Sequence, residues 1–168
     1  PKQSCYCHDF ENDGELQSRS AQLGVGSQLS KEFDIGLSRE EIAKQQKQDP
    51  ELRVLYEVLE QGKERPSWED IALQPGKAKV LWGQWPRLSL KEKVMCRRWE
   101  AAVGDEVRWQ VVIPSALRKT FISQVHGGVT GGHLGRSKTE EQVIRRAYWP
   151  GWKRDVAQTL NECIPCTQ

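Results

Sequence analysis

The chain has 168 residues, of which 37% are apolar and 29% are charged, and its formal net charge is +2. This length and composition predict one or two small domains and exclude a uniformly disordered chain. No apolar run approaches the roughly 20 residues of a membrane span, and the N-terminus lacks the apolar stretch of a signal peptide, so we expect an intracellular protein without a membrane partner. Five cysteines are an odd number, and two lie in a C-x2-C motif, which favours metal chemistry over a disulfide scaffold.

Residues 1–37 are rich in Ser, Gly, Gln and acidic groups and show no apolar periodicity, which predicts a flexible leader. Cys5, Cys7 and His8 could bind a metal ion in principle. A C-x-C-H motif without a fourth ligand nearby is more typical of exposed thiols in a tether.

Residues 38–113 predict a small α/β region. Ser38 and Glu41 have the capping-box spacing, so a helix begins there. Asp49-Pro50 interrupts the helical pattern, and the apolar stripe that follows should end at Gly62. We therefore expect two helices in place of one long helix.

A turn containing proline separates these helices from a third, which carries apolar residues on one face and stops at Pro86. That face consists of Ala78, Leu81, Trp82 and Trp85, and we expect the tryptophans in the core. Residues 88–99 and 106–113 are rich in β-branched residues and predict two strands joined by a turn at Gly104-Asp105. In this hairpin we expect Trp99 and Trp109 to form a cross-strand pair and Cys96 to be buried.

Residues 114–168 predict a bundle of three helices. The first helix starts at Pro114-Ser115 and ends at His126. The second starts with the capping-box spacing of Ser137 and Glu140 and ends near Trp149-Pro150, and the third runs over residues 152–162. The predicted fold class is α+β and mainly helical: a small mixed domain with a β-hairpin, followed by this bundle.

Four residues of the bundle have the order H-x6-H-x29-C-x2-C: His126, His133, Cys163 and Cys166. Neutral imidazole and thiolate are the ligands that zinc prefers in tetrahedral sites. Glycines between the two histidines permit the sharp turn that would return His133 to the same ion. A domain of about 54 residues buries little apolar surface, so we expect one structural zinc that couples binding to folding. The alternative is two ordinary turn histidines and a small buried cysteine pair.

Positive charge is concentrated in the same bundle. Residues 115–168 contain eight Lys and Arg against four Asp and Glu, whereas residues 1–114 contain seventeen against nineteen. This segregation favours contact with phosphates, although the same residues could form an ordinary solvated face. The candidate DNA-binding residues are Arg136, Lys138, Arg145, Arg146, Lys153 and Arg154.

The run HGGVTGGHLGRSKTEEQVIRRAYWPGWKRDVAQTLNECIPC resembles the N-terminal zinc-binding domain of integrases from gypsy-like retrotransposons and retroviruses. The resemblance implies that the four residues of the H-x6-H-x29-C-x2-C motif bind one zinc in a small helical bundle. It also implies that several positions build only turns and core: Gly132, Leu134, Gly135, Lys138, Thr139, Tyr148, Trp149, Pro150 and Gly151. Residues 38–113 look like the extension that precedes this domain in such pol polyproteins, and residues 1–37 like a tether.

What the resemblance implies for function is a portion of a retrotransposon polyprotein that assists multimerisation and engages the element's DNA ends during integration. Its partners would be DNA and other integrase subunits, in the nucleus and in cytoplasmic element particles, with no small-molecule substrate. Only two residues follow Cys166, so we expect no catalytic core and no activity of this chain alone, whereas the parent would be a polynucleotidyl transferase.

Two other functions stay open from the sequence. A host protein could retain the module as a DNA- or protein-binding zinc adaptor without integration activity. A sequence-specific zinc finger regulator fits less well, because the ligand order is reversed and the separation between the pairs is too long.

Overall fold

The computed structural model describes residues 36–100, 106–128 and 133–164. The chain there has the predicted α+β fold: helices precede the first three strands of a four-stranded sheet, and the fourth strand lies between the last two helices. Most of the predicted leader, with Cys5, Cys7 and His8, lies outside the described residues. Within these ranges no helix is both long enough and apolar enough to cross a membrane.

The first two helices form as predicted. Helix α1 (Arg39–Gln48) begins after Ser38, whose hydroxyl accepts the backbone N–H of Glu41 at 3.1 Å. Helix α2 (Arg53–Glu60) begins beyond Pro50 and is followed by Gly62 at a φ of 62°. Because glycine adopts positive φ without strain, the chain reverses there.

Two short helices follow, and one of them was not predicted. Helix α3 (Trp68–Ala72) begins at a capping box in which Ser67 and Asp70 exchange hydrogen bonds. Helix α4 (Gly76–Trp82) ends at Gly83, so the prediction that it continues to Pro86 was wrong. A 3-10 turn (Trp85–Arg87) contains that proline. Trp82 and Trp85 are only partly buried and pack against the edge of the core.

The sheet has the order β1-β2-β3-β4, with strands β1 (Leu88–Lys91), β2 (Val94–Glu100), β3 (Val107–Val112) and β4 (Ala147–Tyr148). The prediction of one strand over residues 88–99 was wrong, because the chain reverses at Glu92 and Lys93. Both residues have positive φ, 49° and 67°, as a two-residue hairpin turn requires. The turn predicted at Gly104-Asp105 lies outside the described residues. Strand β4 pairs with β3 in parallel.

The predicted cross-strand pair of Trp99 and Trp109 was also wrong. The register of β2 and β3 pairs Trp99 with Arg108 and Trp109 with Arg98. Successive residues of a strand point to opposite faces, so the two tryptophans lie on opposite faces of the sheet. Each instead carries a cation over its ring: Arg108 over Trp99 at 3.9 Å, and Lys91 over Trp109 at 4.4 Å.

The C-terminal helices α5 (Arg118–Gly127), α6 (Arg136–Arg146) and α7 (Trp152–Asn161) form the expected three-helix arrangement. The capping box predicted at Ser137 was wrong. Gly135 caps α6, which places Ser137 inside the helix, and the Glu140 carboxylate pairs with Arg136 at 2.8 Å. Helix α6 also ends earlier than predicted, because the next two residues extend and form β4.

The core consists of two clusters separated by the sheet. Successive strand residues alternate between them, as Val94 and Cys96 do against Met95. The buried Cys96 was predicted. The first cluster also contains Phe121, Ile122, Val143, Trp149 and Val156, so helices α5 to α7 pack on one face of the sheet. This cluster crosses the predicted domain boundary at residue 113, and the boundary itself stays a prediction.

Candidate metal centre

The last turn of α5 places His126 at the edge of the first cluster. Phe121, Ile122 and Val125 of the same helix are buried, and this packing fixes the direction in which the helix ends. His126 is 5% exposed. Gly128 ends the helix at a φ of 60°, where its lack of a side chain permits the turn away from the core. The buried imidazole is therefore held by the helix and by the core behind it.

Leu134 fixes the orientation of the His126 ring. The backbone N–H of Leu134 donates to the His126 carbonyl at 2.9 Å, and the Leu134 carbonyl lies 2.9 Å from His126 Nδ1. A carbonyl only accepts, so Nδ1 carries the proton and Nε2 is left with its lone pair. A hydrogen bond of this kind selects the tautomer of a metal-binding histidine and raises its basicity.

Thr139 supports this arrangement from α6 in a way that the sequence did not indicate. Its side chain is fully buried, and its hydroxyl lies 3.2 Å from the Leu134 carbonyl and 3.1 Å from the Gly135 carbonyl. The resemblance placed Thr139 among residues that build only the scaffold. The sequence feature that could have predicted this contact is the position of Thr139 four residues after Gly135, because a threonine hydroxyl often bonds the carbonyl of residue i−4.

Three ligand atoms converge from three parts of the chain. His133 Nδ1 lies 2.9 Å from His126 Nε2 and 3.2 Å from Cys163 Sγ. The three atoms all lie within 4.8 Å of one another. Cys163 follows α7, with its N–H bonded to the Leu160 carbonyl at 3.1 Å. The predicted residues His126, His133 and Cys163 are thus brought together, across 37 residues of sequence.

These distances fit a single zinc ion. Two nitrogens bound to one tetrahedral zinc lie about 3.4 Å apart, and a nitrogen and a sulfur about 3.6 Å, from the usual bond lengths. The observed contacts, 2.9 Å and 3.2 Å, are shorter by about half an ångström or less. A shift that small is within reach of His133, which is exposed. Two imidazoles and one thiolate are also the ligand chemistry of structural zinc sites.

Residues 113–168 match the family model of the integrase zinc binding domain. This segment is an integrase zinc-binding domain. The match covers the three converging ligands and confirms the prediction of an integrase zinc-binding domain over this segment. Curated proteins and solved structures gave no match to the chain. The role of the segment is therefore integrase-related, and its cofactor is one zinc ion.

Cys166, the fourth predicted ligand, lies outside the described residues, as do Gly131 and Gly132 of the loop between the histidines. Its role stays a prediction.

A second interaction holds the described part of the zinc-binding domain together: the Trp149 indole N–H donates to Asp155 Oδ2 at 2.8 Å. Trp149 is fully buried and meets the Phe121 ring edge to face at 6.2 Å. Asp155 lies in the first turn of α7, so this bond fixes the helix that carries Cys163.

The six predicted DNA-binding residues do not form one equivalent set. On α6, Lys138 and Arg145 are exposed, whereas Arg136 pairs with Glu140 and Arg146 is half-buried, with its Nη2 3.4 Å from Gln142 Oε1. On α7, Lys153 and Arg154 are exposed.

Proposed function

We propose that the chain is the zinc-binding portion of a gypsy-like retroelement pol polyprotein, and that it supports integrase multimerisation and DNA contact during integration. It would act in the nucleus and in cytoplasmic element particles. The observation that carries the proposal is the convergence of His126, His133 and Cys163 in a segment that belongs to the integrase zinc-binding domains. Residues 38–113 would be the extension that precedes this domain.

The zinc would act as a cross-link. With Cys166 as its fourth ligand, the zinc would join the end of α5, the segment just before α6 and the chain that follows α7. A metal that binds the folded chain and not the unfolded chain adds its binding free energy to stability. Four protein ligands leave no position for an activated water, so the ion would be structural and not hydrolytic.

A solvated basic face on α6 supports the DNA-contacting part of the proposal. Lys138 and Arg145 are seven residues apart, which is nearly two turns, so they point the same way and lie about 10 Å apart along the axis. Thr139 and Val143, which are buried, point toward the core. Neither Lys138 nor Arg145 has an ion-pair partner among the residues that the structure describes. Both are therefore available to phosphates.

The salt dependence of DNA binding tests this face. Each phosphate contact contributes roughly 0.9 to the slope of log K against log salt concentration. The double variant Lys138→Ala with Arg145→Ala should lower the slope by about 2. Lys44→Ala is the matched control, because Lys44 is exposed on α1, outside the zinc-binding domain. An unchanged slope in the double variant would remove α6 from the DNA interface.

Multimerisation is tested separately by sedimentation velocity of the zinc-loaded chain over a range of concentrations. If the zinc-binding domain assists assembly, the weight-average mass should rise with concentration, and the rise should be lost on chelation. A monomer at every concentration, with zinc bound, would contradict this part of the proposal and leave the DNA part standing.

A further inference from the structure

One positively charged group on the sheet has no negative partner among the residues that the structure describes. Arg97 of β2 is only partly exposed, and its guanidinium donates to two neutral amides, Gln84 Oε1 at 2.6 Å and Gln110 Oε1 at 2.7 Å. The guanidinium carbon also lies 4.1 Å from the centre of the Tyr148 ring. The third nitrogen, Nη2, has no acceptor among the described residues. These contacts orient the fork of donors, and no carboxylate of the described segments compensates its charge.

The surroundings of Arg97 add positive charge. Arg87 directly precedes Leu88, the β1 residue that pairs with Arg97, and its backbone N–H donates to the carbonyl of Gln84 at 2.8 Å. Burial lowers the pKa of Arg97, Tyr148 raises it, and the charge of Arg87 lowers it further. Across the part of the chain that the structure describes, no carboxylate lies within ion-pair distance of Arg97 or Arg87. An arginine stays charged in such a site. Arg97 therefore carries a desolvation cost that no ion pair among the described residues offsets.

Arg108 extends the same face of the sheet. It lies opposite Trp99, next to the Arg97 and Gln110 pair, and alternate residues of a strand share a face. Its Nε is the one buried side-chain nitrogen or oxygen without a hydrogen-bond partner among the described residues. Its ion-pair partner among the described residues, Glu106, is 3.8 Å away and largely exposed. Arg108 therefore also carries unused donor capacity.

We infer that Arg97, with Arg87 and Arg108, forms a phosphate-binding site on the sheet, distinct from the zinc centre and from the basic face of α6. The planar guanidinium fork matches the oxygens of a phosphate, and partial burial strengthens a charge-assisted hydrogen bond relative to one in water. The phosphate group can belong to a nucleic acid backbone or to a free phosphate compound. The site does not rest on the proposed function, because its three arginines all precede the zinc-binding domain.

Binding of inorganic phosphate to the full zinc-loaded chain is the first test. Phosphate should raise the thermal midpoint relative to chloride at matched ionic strength, as expected for a ligand of the folded state. Arg87→Ala, at an exposed position, should weaken phosphate binding. Arg97→Met should weaken it about tenfold or more, as loss of a hydrogen bond to a charged group predicts. The matched control is Arg53→Ala, an exposed arginine on α2, which should bind phosphate as the parent chain does.

The second test identifies the source of the phosphate. With a double-stranded oligonucleotide as probe, a backbone contact predicts that Arg87→Ala lowers the salt slope by about 1. A free phosphate compound predicts an unchanged slope together with weakened binding of inorganic phosphate. The inference is overturned if phosphate stabilises no better than chloride and the Arg87→Ala slope equals that of the parent. Because Arg87 is exposed, this result stands even if Arg97→Met fails to fold.

Discussion

Gln46 is the residue whose replacement most directly tests how α1 is joined to the sheet. Its side chain is fully buried. Nε2 donates to the carbonyls of Met95 at 3.0 Å and Val112 at 2.7 Å, and Oε1 accepts the Met95 N–H at 2.7 Å. The pairing of β2 with β3 ends at Cys96 and Val111. Met95 and Val112 are the next residues at that end of the two strands. The glutamine amide thus takes the place of the next pair of backbone hydrogen bonds.

Gln46→Ala would leave those three backbone groups without partners. A buried polar group left unsatisfied costs about 1–3 kcal/mol, and water entering the space that the side chain vacates would offset part of the sum. We expect a loss of about 3 kcal/mol in the free energy of unfolding, a large share of the roughly 5–15 kcal/mol of a typical domain. With a urea m-value of about 2 kcal/mol/M, the midpoint should fall by about 1.5 M.

Urea unfolding followed by far-ultraviolet circular dichroism, with zinc held in excess, measures this shift. Gln48→Ala is the matched control, since Gln48 is exposed on the same helix and undergoes the same change of side chain. It should stay within about 0.5 kcal/mol of the parent. Gln46→Met keeps most of the volume and should lose nearly as much as Gln46→Ala. Equal midpoints for Gln46→Ala and Gln48→Ala would refute the bridging role.

Substitutions at three further positions test other contacts. The buried hydroxyl of Tyr56 donates to the carbonyl of the β1-β2 turn at 2.6 Å, so Tyr56→Phe should cost about 1 kcal/mol in urea unfolding; no loss would contradict the contact. Burial raises the pKa of Tyr56. The stabilisation by the Tyr56 hydroxyl is therefore present below the unfolded pKa of about 10 and is lost as pH rises toward the folded pKa. The stability difference between the parent chain and Tyr56→Phe should shrink in that pH range, and a constant difference would contradict the burial of this hydroxyl. Asp155→Ala leaves the Trp149 indole N–H unsatisfied and should cost about 1–3 kcal/mol by the same assay, whereas Asp155→Asn, which retains an acceptor, should cost less. Thr139→Val removes the hydroxyl near the Leu134 carbonyl and should weaken zinc binding about 10–100-fold in competition with a chelator; parent-like affinity would exclude this supporting role.

Local signals in the sequence predicted the helices well where one or two residues decide a boundary. Ser38 caps α1, Asp49-Pro50 separates α1 from α2, and His126 lies in the last turn of α5. In each case the physical cause acts within a few residues. His126, His133 and Cys163, which the structure brings together, were predicted in the same way, because imidazole and thiolate side chains at motif spacing carry a chemical signal that does not depend on the fold.

The sheet was predicted less well, because its determinants are not local. The turn at Glu92 and Lys93 lacks the glycine or asparagine that usually marks a two-residue hairpin, so one strand was expected in place of two. Strand β4 has only two residues and pairs with β3 across 36 positions, a contact for which no periodic pattern exists. Trp99 and Trp109 were paired on composition, whereas a register shift of one residue places them on opposite faces.

The supporting residues of the zinc centre and the arginines of the sheet were missed for a related reason. Thr139 and Arg97 are ordinary residue types for a helix and a strand, and only the structure shows what their donors meet. Arg97 is informative because its acceptors are neutral amides. A sequence lists charges, whereas burial and partners decide whether those charges are compensated.

Zinc content of the purified 168-residue chain tests the central claim most directly, with His133→Ala as the decisive variant. His133 is exposed, so its removal takes away a ligand with little loss of core packing. His8→Ala is the matched control. The parent chain and His8→Ala should each contain one zinc, His133→Ala should contain none, and chelation should reduce the helical circular dichroism signal of the parent. A parent chain that is fully folded without zinc, or a His133→Ala variant that retains one zinc with unchanged affinity, would contradict the assignment of this metal centre.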